Sequence, residues 1–194
     1  LHHRVKAGGF IKTLLQRRVG SSLVAGLKTT DKMLAGKQPD EDEDPDDEGN
    51  SIYPLIDEEK GLLQRLRDHL AHHLQREDDP KFERVSEVLK LDFEGQKWID
   101  RGVLIFSQFY DSAYALAEYL LKHFDEPIGL YANSSASKLF EGGKVQTVDR
   151  ELLKEKVTQG RLKLLIGTDA ASTGLNLQRL GCLINLDLPW NPTI

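Results

Sequence analysis

The sequence has few residues that could crosslink the chain and no segment that could anchor it in a membrane. It contains one cysteine in 194 residues, which excludes an internal disulfide framework. Cys182 lies in the apolar stretch Cys182 to Leu186, so we expect a buried structural thiol. No apolar run approaches the roughly 20 residues of a transmembrane helix, and the opening Leu-His-His-Arg does not form a signal peptide. We therefore predict a cytoplasmic protein with no membrane partner.

Three motifs of nucleotide-binding enzymes are also missing. No G-x-x-x-x-G-K-[ST] loop is present, and neither is the Asp-Glu metal motif of P-loop enzymes. No predicted strand is followed by G-x-G-x-x-G, which argues against a dinucleotide-dependent oxidoreductase. We expect this chain alone to bind no Mg-ATP and to hydrolyse none.

The net charge of −5 comes from one tract. Residues 40–48 carry eight of the 31 acidic residues, so the rest of the chain has 26 basic and 23 acidic residues. A tract of this kind is typical of a solvated, disordered linker. An alternative is that it mimics nucleic acid and covers a basic groove. Calcium binding is disfavoured, because the tract lacks the glycine and terminal glutamate of an EF-hand loop.

The regions on either side of this tract have helical periodicity. Apolar residues from Phe10 to Leu27 recur at helical spacing, which predicts one or two helices between about Lys6 and Leu34 with a possible break at residues 20–22. Two more helices are predicted at Ile56 to Arg76 and Pro80 to Leu91. We accordingly divide the chain into helical residues 1–38, linker residues 39–51, helical residues 52–98 and a domain at 99–194.

Three histidines could suggest a metal site in the second helical region. His69, His72 and His73 fall on one face of the predicted helix, but no carboxylate or cysteine with suitable spacing accompanies them. We favour a solvated helix face and predict no metal site in this chain.

Strands and helices alternate from Val103 onward. Apolar strands are predicted at Val103 to Ser107, Ile128 to Tyr131, Leu162 to Ile166 and Cys182 to Leu186, and helices at Ser112 to His123 and Val148 to Gln159. Uniformly apolar strands separated by helices indicate a parallel sheet covered on both faces. The predicted fold class is therefore α/β, a three-layer sandwich with a mainly parallel sheet, preceded by a helical segment.

A long polar stretch separates the second strand from the second helix. Residues 132–147 exceed the usual length of such a connection, so we expect a loop. Its serines and lysines could contact phosphate, or it could be an idle surface insertion. The residues concerned are Ser134, Ser135, Ser137, Lys138 and Lys144.

Polar residues follow two of the predicted strands. Ile166 leads into Gly167-Thr168-Asp169, and Phe106 leads into Ser107-Gln108. The carboxyl ends of parallel strands lie at one edge of a sheet, where ligands bind. Hydroxyl, amide and backbone N–H groups suit phosphate and sugar oxygens better than base edges. The alternative, that these are ordinary turns, stays open for Ser107-Gln108 alone.

Together, the stretches VLIFSQF, GTDAASTGLNLQ and INLDLPWNP resemble the second RecA-like lobe of superfamily-2 helicases. The nearest resemblance is to Swi/Snf-type ATPases, particularly bacterial ones. It implies that Ser107, Gln108, Thr168 and Asp169 bind nucleic acid. It also implies that Gly174 and Asn176 face ATP across the cleft between two lobes. LLQRRVGSS near the amino terminus resembles the brace helix that precedes this lobe.

The resemblance predicts the carboxyl-terminal motor lobe of an ATP-dependent DNA helicase or translocase, nucleoid-associated if bacterial. ATP and Mg²⁺ would be held mainly by an amino-terminal RecA-like lobe of the same protein, and the nucleic acid would be double-stranded DNA. We further expect a segment excised from a longer protein, ending before the arginine-finger motif. A non-catalytic interaction module is the alternative.

Overall fold

The computed structural model describes residues 2–37, 55–76, 79–133, 135–168 and 179–187. The chain forms two units, residues 1–79 and 80–194. The predicted helical region 52–98 is thus shared between them. The acidic tract and its predicted linker lie outside the described residues. Within the described ranges, no helix combines the length and apolar character needed to cross a membrane.

Three helices form the described part of the first unit: α1 (His2–Ser21), α2 (Leu23–Leu34) and α3 (Asp57–Gln75). The predicted break between the first two is confirmed at Ser22. This residue has extended backbone angles, and its hydroxyl accepts a hydrogen bond from Ala25 N, as an N-cap residue does. The carboxylate of Asp79 accepts a second bond from Leu23 N at 2.9 Å, so two of the otherwise unpaired amides of α2 have acceptors.

Helices α2 and α3 pack through a small apolar cluster. Met33 and Leu63 are buried at its centre, with Leu15, Leu34 and Leu55 around them. At the surface Arg67 Nε donates to Asp31 Oδ1 at 2.8 Å, and this carboxylate raises the pKa of Arg67. The apolar cluster, rather than the exposed ion pair, supplies most of the stabilisation.

The second unit contains three helices, a short 3₁₀ turn and eight strands among its described residues. The helices are α4 (Pro80–Lys90), α5 (Tyr110–Leu121) and α6 (Arg150–Thr158), and the 3₁₀ turn is Trp98–Arg101. The strands are β1 (Asp92–Phe93), β2 (Gln96–Lys97), β3 (Val103–Phe106), β4 (Ile128–Tyr131), β5 (Lys138–Glu141), β6 (Lys144–Thr147), β7 (Leu164–Gly167) and β8 (Cys182–Asn185).

The main sheet has six strands in the order β6-β5-β4-β7-β3-β8. Strands β4, β7, β3 and β8 are parallel, whereas β5 and β6 are antiparallel to their neighbours. Helices α4 and α5 cover one face through the larger apolar core, and α6 covers the other through Leu153 and Val157. The predicted three-layer α/β sandwich with a mainly parallel sheet is therefore confirmed.

The expectation of a loop at residues 132–147 was wrong. Strands β5 and β6 form a hairpin there, joined by Gly142 and Gly143 at φ angles of 59° and 74°. Two consecutive residues with positive φ produce a tight turn whose twist suits a hairpin. Lys144 pairs with Glu141 at the turn, whereas Lys138 pairs with Thr147 at the other end, so the predicted phosphate-contacting lysines are separated.

Two smaller differences concern β8 and the start of α6. Cys182 is only partly buried, because β8 is the last strand at its side of the described sheet. Helix α6 begins at Arg150 rather than Val148, because Asp149 is its N-cap and accepts a hydrogen bond from Glu151 N at 3.0 Å.

Candidate functional site

Four parallel strands end at the same level of the sheet. Phe106 of β3 is in register with Gly167 of β7 and with Asn185 of β8, and Gly167 is also in register with Tyr131 of β4. The residues after these positions share one edge, as the alternation of strands and helices predicts. We call it the carboxyl edge.

Ser107 follows β3 and is fully buried. Its hydroxyl donates to Asp187 Oδ2 at 2.8 Å, and its backbone N–H donates to Gly167 O at 3.0 Å. The hydroxyl also accepts a longer bond of 3.4 Å from Phe109 N. Ser107 thus joins the exits of three strands, and this hydroxyl is satisfied within the protein.

Gln108 lies next to Ser107 but is partly exposed. Its backbone N–H donates to the same oxygen, Asp187 Oδ2, at 2.9 Å. The backbone is therefore held while the side-chain amide can face solvent at the carboxyl edge. Of the two residues predicted after β3, Gln108 is the better placed to contact a ligand.

Asp187 and Lys81 complete this group. The side chain of Asp187 is 9% exposed, and its Oδ1 lies 3.5 Å from Lys81 Nζ. Lys81, in the first turn of α4, also donates to Leu186 O at 2.9 Å. The ammonium offsets the cost of removing the carboxylate from water.

Thr168 follows β7 and is 8% exposed. Its backbone N–H donates to Tyr131 O at 3.1 Å, which connects the exits of β7 and β4. The structure thus brings Ser107, Gln108 and Thr168 to one edge. Asp169, Gly174 and Asn176, also predicted as site residues, lie outside the described residues.

The turn after β4 is held by internal hydrogen bonds. Ser137 Oγ accepts from Ala132 N at 3.0 Å and donates to Ala132 O at 3.2 Å. Arg150 Nε donates to the same carbonyl at 2.7 Å, and its guanidinium lies 5.3 Å from the centre of the Tyr131 ring. Of the serines predicted to contact phosphate in this turn, Ser137 is buried, Ser135 is exposed and Ser134 lies outside the described residues.

Tyr110 packs beside this turn at the start of α5. Its hydroxyl donates to Ala136 O at 3.2 Å. Burial raises the pKa of Tyr110 to about 12, with smaller contributions from Tyr114 and Asp111. The phenol is therefore a stable neutral donor at physiological pH.

The described residues contain no group of three or more histidine, cysteine or acidic side chains that could hold a metal ion. His69, His72 and His73 are exposed on α3, as the interpretation of a solvated face predicts.

Comparison with known proteins identifies the sheet unit. The family model of the helicase conserved C-terminal domain matches residues 80–194, more than half of the chain. The chain belongs to this helicase family.

Two relatives show how far the similarity extends. An uncharacterized ATP-dependent helicase of Bacillus subtilis, YqhH, is 30% identical over 178 residues, which are 92% of this chain and 26% of that protein. The pre-mRNA-processing ATP-dependent RNA helicase prp5 of Aspergillus niger is 30% identical over 114 residues, 59% of this chain and 9% of that protein. The chain thus spans about a quarter or less of the relatives' lengths.

Within this helicase C-terminal lobe, the prediction from sequence did not assign roles to Asp187, Lys81 or Arg150. The position of Asp187 directly after an apolar parallel strand was a usable signal, because it places the carboxylate at the carboxyl edge. Lys81 gave no comparable signal, since its contact with Leu186, the residue after β8, spans 105 residues of sequence.

Proposed function

We propose that this chain is the second RecA-like lobe of a Swi/Snf-type ATP-dependent DNA translocase or helicase. The observation that carries the proposal is the carboxyl edge that β3 and β7 share in a helicase lobe. The two strands are paired in parallel, so Gln108, which comes after β3, and Thr168, which comes after β7, lie at the same edge. Two features support the bacterial Swi/Snf assignment. The similarity to the B. subtilis helicase covers 92% of the chain, including the helical first unit, and the sequence contains GTDAASTGLNLQ and INLDLPWNP.

The proposed contact is with the sugar-phosphate backbone. The side-chain amide of a partly exposed glutamine and the hydroxyl of a threonine can donate to phosphate oxygens without distinguishing bases. Outside the acidic tract the chain has a small positive balance of three charges, which suits a polyanion. We assign Gln108 and Thr168 to direct contact, with Asp169 as a further contact. Ser107 lies in the same turn, but its hydroxyl already donates to Asp187 Oδ2, which suits an organising role.

We propose further that ATP and Mg²⁺ are held mainly by an amino-terminal RecA-like lobe of the full-length protein. Gly174 and Asn176 would approach the nucleotide from this lobe. This chain has no phosphate-binding P-loop, and its described residues contain no metal-ligand cluster. Both observations support the proposal that the amino-terminal lobe holds most of the ATP and the Mg²⁺. Bound ATP would supply the energy for stepping through lobe closure.

The experiment is ATP hydrolysis by the full-length protein with duplex DNA, single-stranded DNA or RNA. The variant Gln108→Ala, Thr168→Ala should raise the DNA concentration for half-maximal stimulation by about tenfold or more, since each lost hydrogen bond costs about 1 kcal/mol. A matched control is Thr158→Ala, Gln159→Ala, which removes the same residue types where α6 ends.

The alternatives give different outcomes. Stimulation by RNA but not DNA would refute the DNA assignment and retain a motor. No hydrolysis with any nucleic acid would refute the motor and favour a non-catalytic interaction module. Equal losses in the variant and its control would show that Gln108 and Thr168 do not contribute to the nucleic-acid interface.

A further inference from the structure

We propose that Asp187 is a positioning residue of the nucleic-acid interface. Its carboxylate fixes the turn after β3 so that Gln108 presents its side-chain amide to the sugar-phosphate backbone of the nucleic acid. This role rests on the proposed function. It assigns Asp187 a task that is distinct from contact with the nucleic acid.

The first argument is geometric. A single oxygen, Asp187 Oδ2, accepts from Ser107 Oγ at 2.8 Å and from Gln108 N at 2.9 Å. One bond holds a side chain and the other holds the backbone of the next residue, so both the position and the orientation of the turn are fixed. Hydrogen bonds to an ionised acceptor are stronger than those to a neutral one.

The second argument concerns how the carboxylate of Asp187 is itself held in place. Lys81 Nζ donates to Leu186 O at 2.9 Å and lies 3.5 Å from Asp187 Oδ1. The lysine therefore holds the backbone just before Asp187 and offsets its charge. Helix α4, the exit of β8 and the exit of β3 are joined through two side chains.

The third argument is the different exposure of the neighbours. Ser107 is fully buried and Asp187 is 9% exposed, whereas Gln108 is partly exposed. A nucleic-acid backbone at this edge can meet the Gln108 side chain more readily than the two groups beneath it. Asp187 therefore acts through Gln108.

Asparagine is a poor replacement at this position. Its amide oxygen could accept both bonds from the turn, but its NH₂ group would then face Lys81, so a donor would oppose a donor. Asp187→Asn should weaken the two hydrogen bonds that hold the turn after β3, and Asp187→Ala should remove them.

The test combines two measurements on the full-length protein. Hydrogen exchange of a peptide spanning residues 103–110 reports whether the turn is held. Binding of labelled duplex DNA is measured for Asp187→Ala in the wild-type and Gln108→Ala backgrounds. Asp100→Ala is the control, because it removes an exposed carboxylate that faces Lys163 at 3.7 Å, just before β3 begins.

We expect Asp187→Ala to accelerate exchange of the Gln108 amide by about tenfold or more. It should raise the Kd for DNA about tenfold in the wild-type background and less than about twofold once Gln108 is alanine, since residues acting through one another are not additive. Asp187→Asn should give intermediate values, and Asp100→Ala should change neither measurement.

Two results would overturn this role alone: unchanged exchange of the turn, or equal loss of DNA binding in both backgrounds. If Asp187→Ala does not fold, Asp187→Asn and Lys81→Met provide the same comparison with milder changes. A wild-type protein that binds no nucleic acid would overturn the proposed function and this role together, which distinguishes the two failures.

Discussion

Gly102 lies at the end of the 3₁₀ turn, directly before the central strand β3. Its φ angle is 79°, and an added Cβ would lie 2.6 Å from Arg179 O. A side chain here would be strained by the backbone angle and would also collide with a main-chain oxygen. Glycine is therefore required at this position for two reasons, the positive φ angle and the lack of space for a Cβ.

Replacing Gly102 with alanine should lower the free energy of unfolding by more than about 2 kcal/mol, measured by urea denaturation. Gly143→Ala is a matched control, because its φ angle is 74° and its surroundings are open. The control should show the backbone strain alone, about 1 kcal/mol. Equal losses would mean that the contact with Arg179 O has no energetic effect.

Tyr110 makes stability depend on pH in the alkaline range. Burial raises the pKa of Tyr110 to about 12 from its ordinary value of 10.0, so the folded protein keeps the proton that the unfolded chain releases. Its stabilising effect is complete below pH 10 and is lost as pH rises through about 12. Tyr110→Phe should flatten the fall in unfolding free energy across this range. The same slope in wild type and variant would contradict the prediction.

At the residue scale the sequence predicted positions better than roles. Ser107, Gln108 and Thr168 do share one edge, because the apolar strands before them are easily recognised and parallel strands end together. The burial of Ser107 was not predictable, since it depends on Asp187, 80 residues away along the chain. Side-chain pairing over such distances leaves no local pattern.

At the scale of elements, helix α6 depends on its N-cap residue, Asp149. It has nine residues and packs through Leu153 and Val157, so the N-cap at Asp149 is a substantial part of what fixes its start. Its terminal charges also suit the helix dipole, with Glu151 in the first turn and Lys156 in the last.

Asp149→Ala should reduce the unfolding free energy by about 1 kcal/mol, and Asp149→Ser should restore most of it, because serine caps equally well. Thermal or urea unfolding of both variants measures the difference. A serine variant as unstable as the alanine variant would show that the charge of Asp149, rather than its hydrogen bond to Glu151 N, matters.

The β5–β6 hairpin shows where element prediction failed. Lys138 to Thr147 is polar overall, and only Leu139 and Phe140 are buried in it, so its apolar content resembles a loop. The Gly142-Gly143 pair between two short runs was the available signal. Strand β6 is the last strand at its side of the described sheet and is exposed throughout, so it needs little apolar surface and its composition resembles that of a loop.

At the scale of the whole molecule, the fold was predictable because central parallel strands must be apolar on both faces. Val103 and Ile105 lie in the core on one side and Leu104 packs towards the other. The division at residues 79 and 80 was less visible. Helices α3 and α4 have similar periodicity, and only their packing assigns them to different units.

The order of the strands also has a consequence for synthesis of the protein. Val103 pairs with Leu164 on one side and with Cys182 on the other, so β3 is translated before both of its neighbours. While the ribosome adds the intervening residues, the most apolar strand of the nascent chain has neither edge covered. Unpaired apolar strands of this kind aggregate readily, and their pairing is slow. The sheet around β3 is therefore complete only after β8 has emerged, and until then the nascent lobe is prone to aggregate.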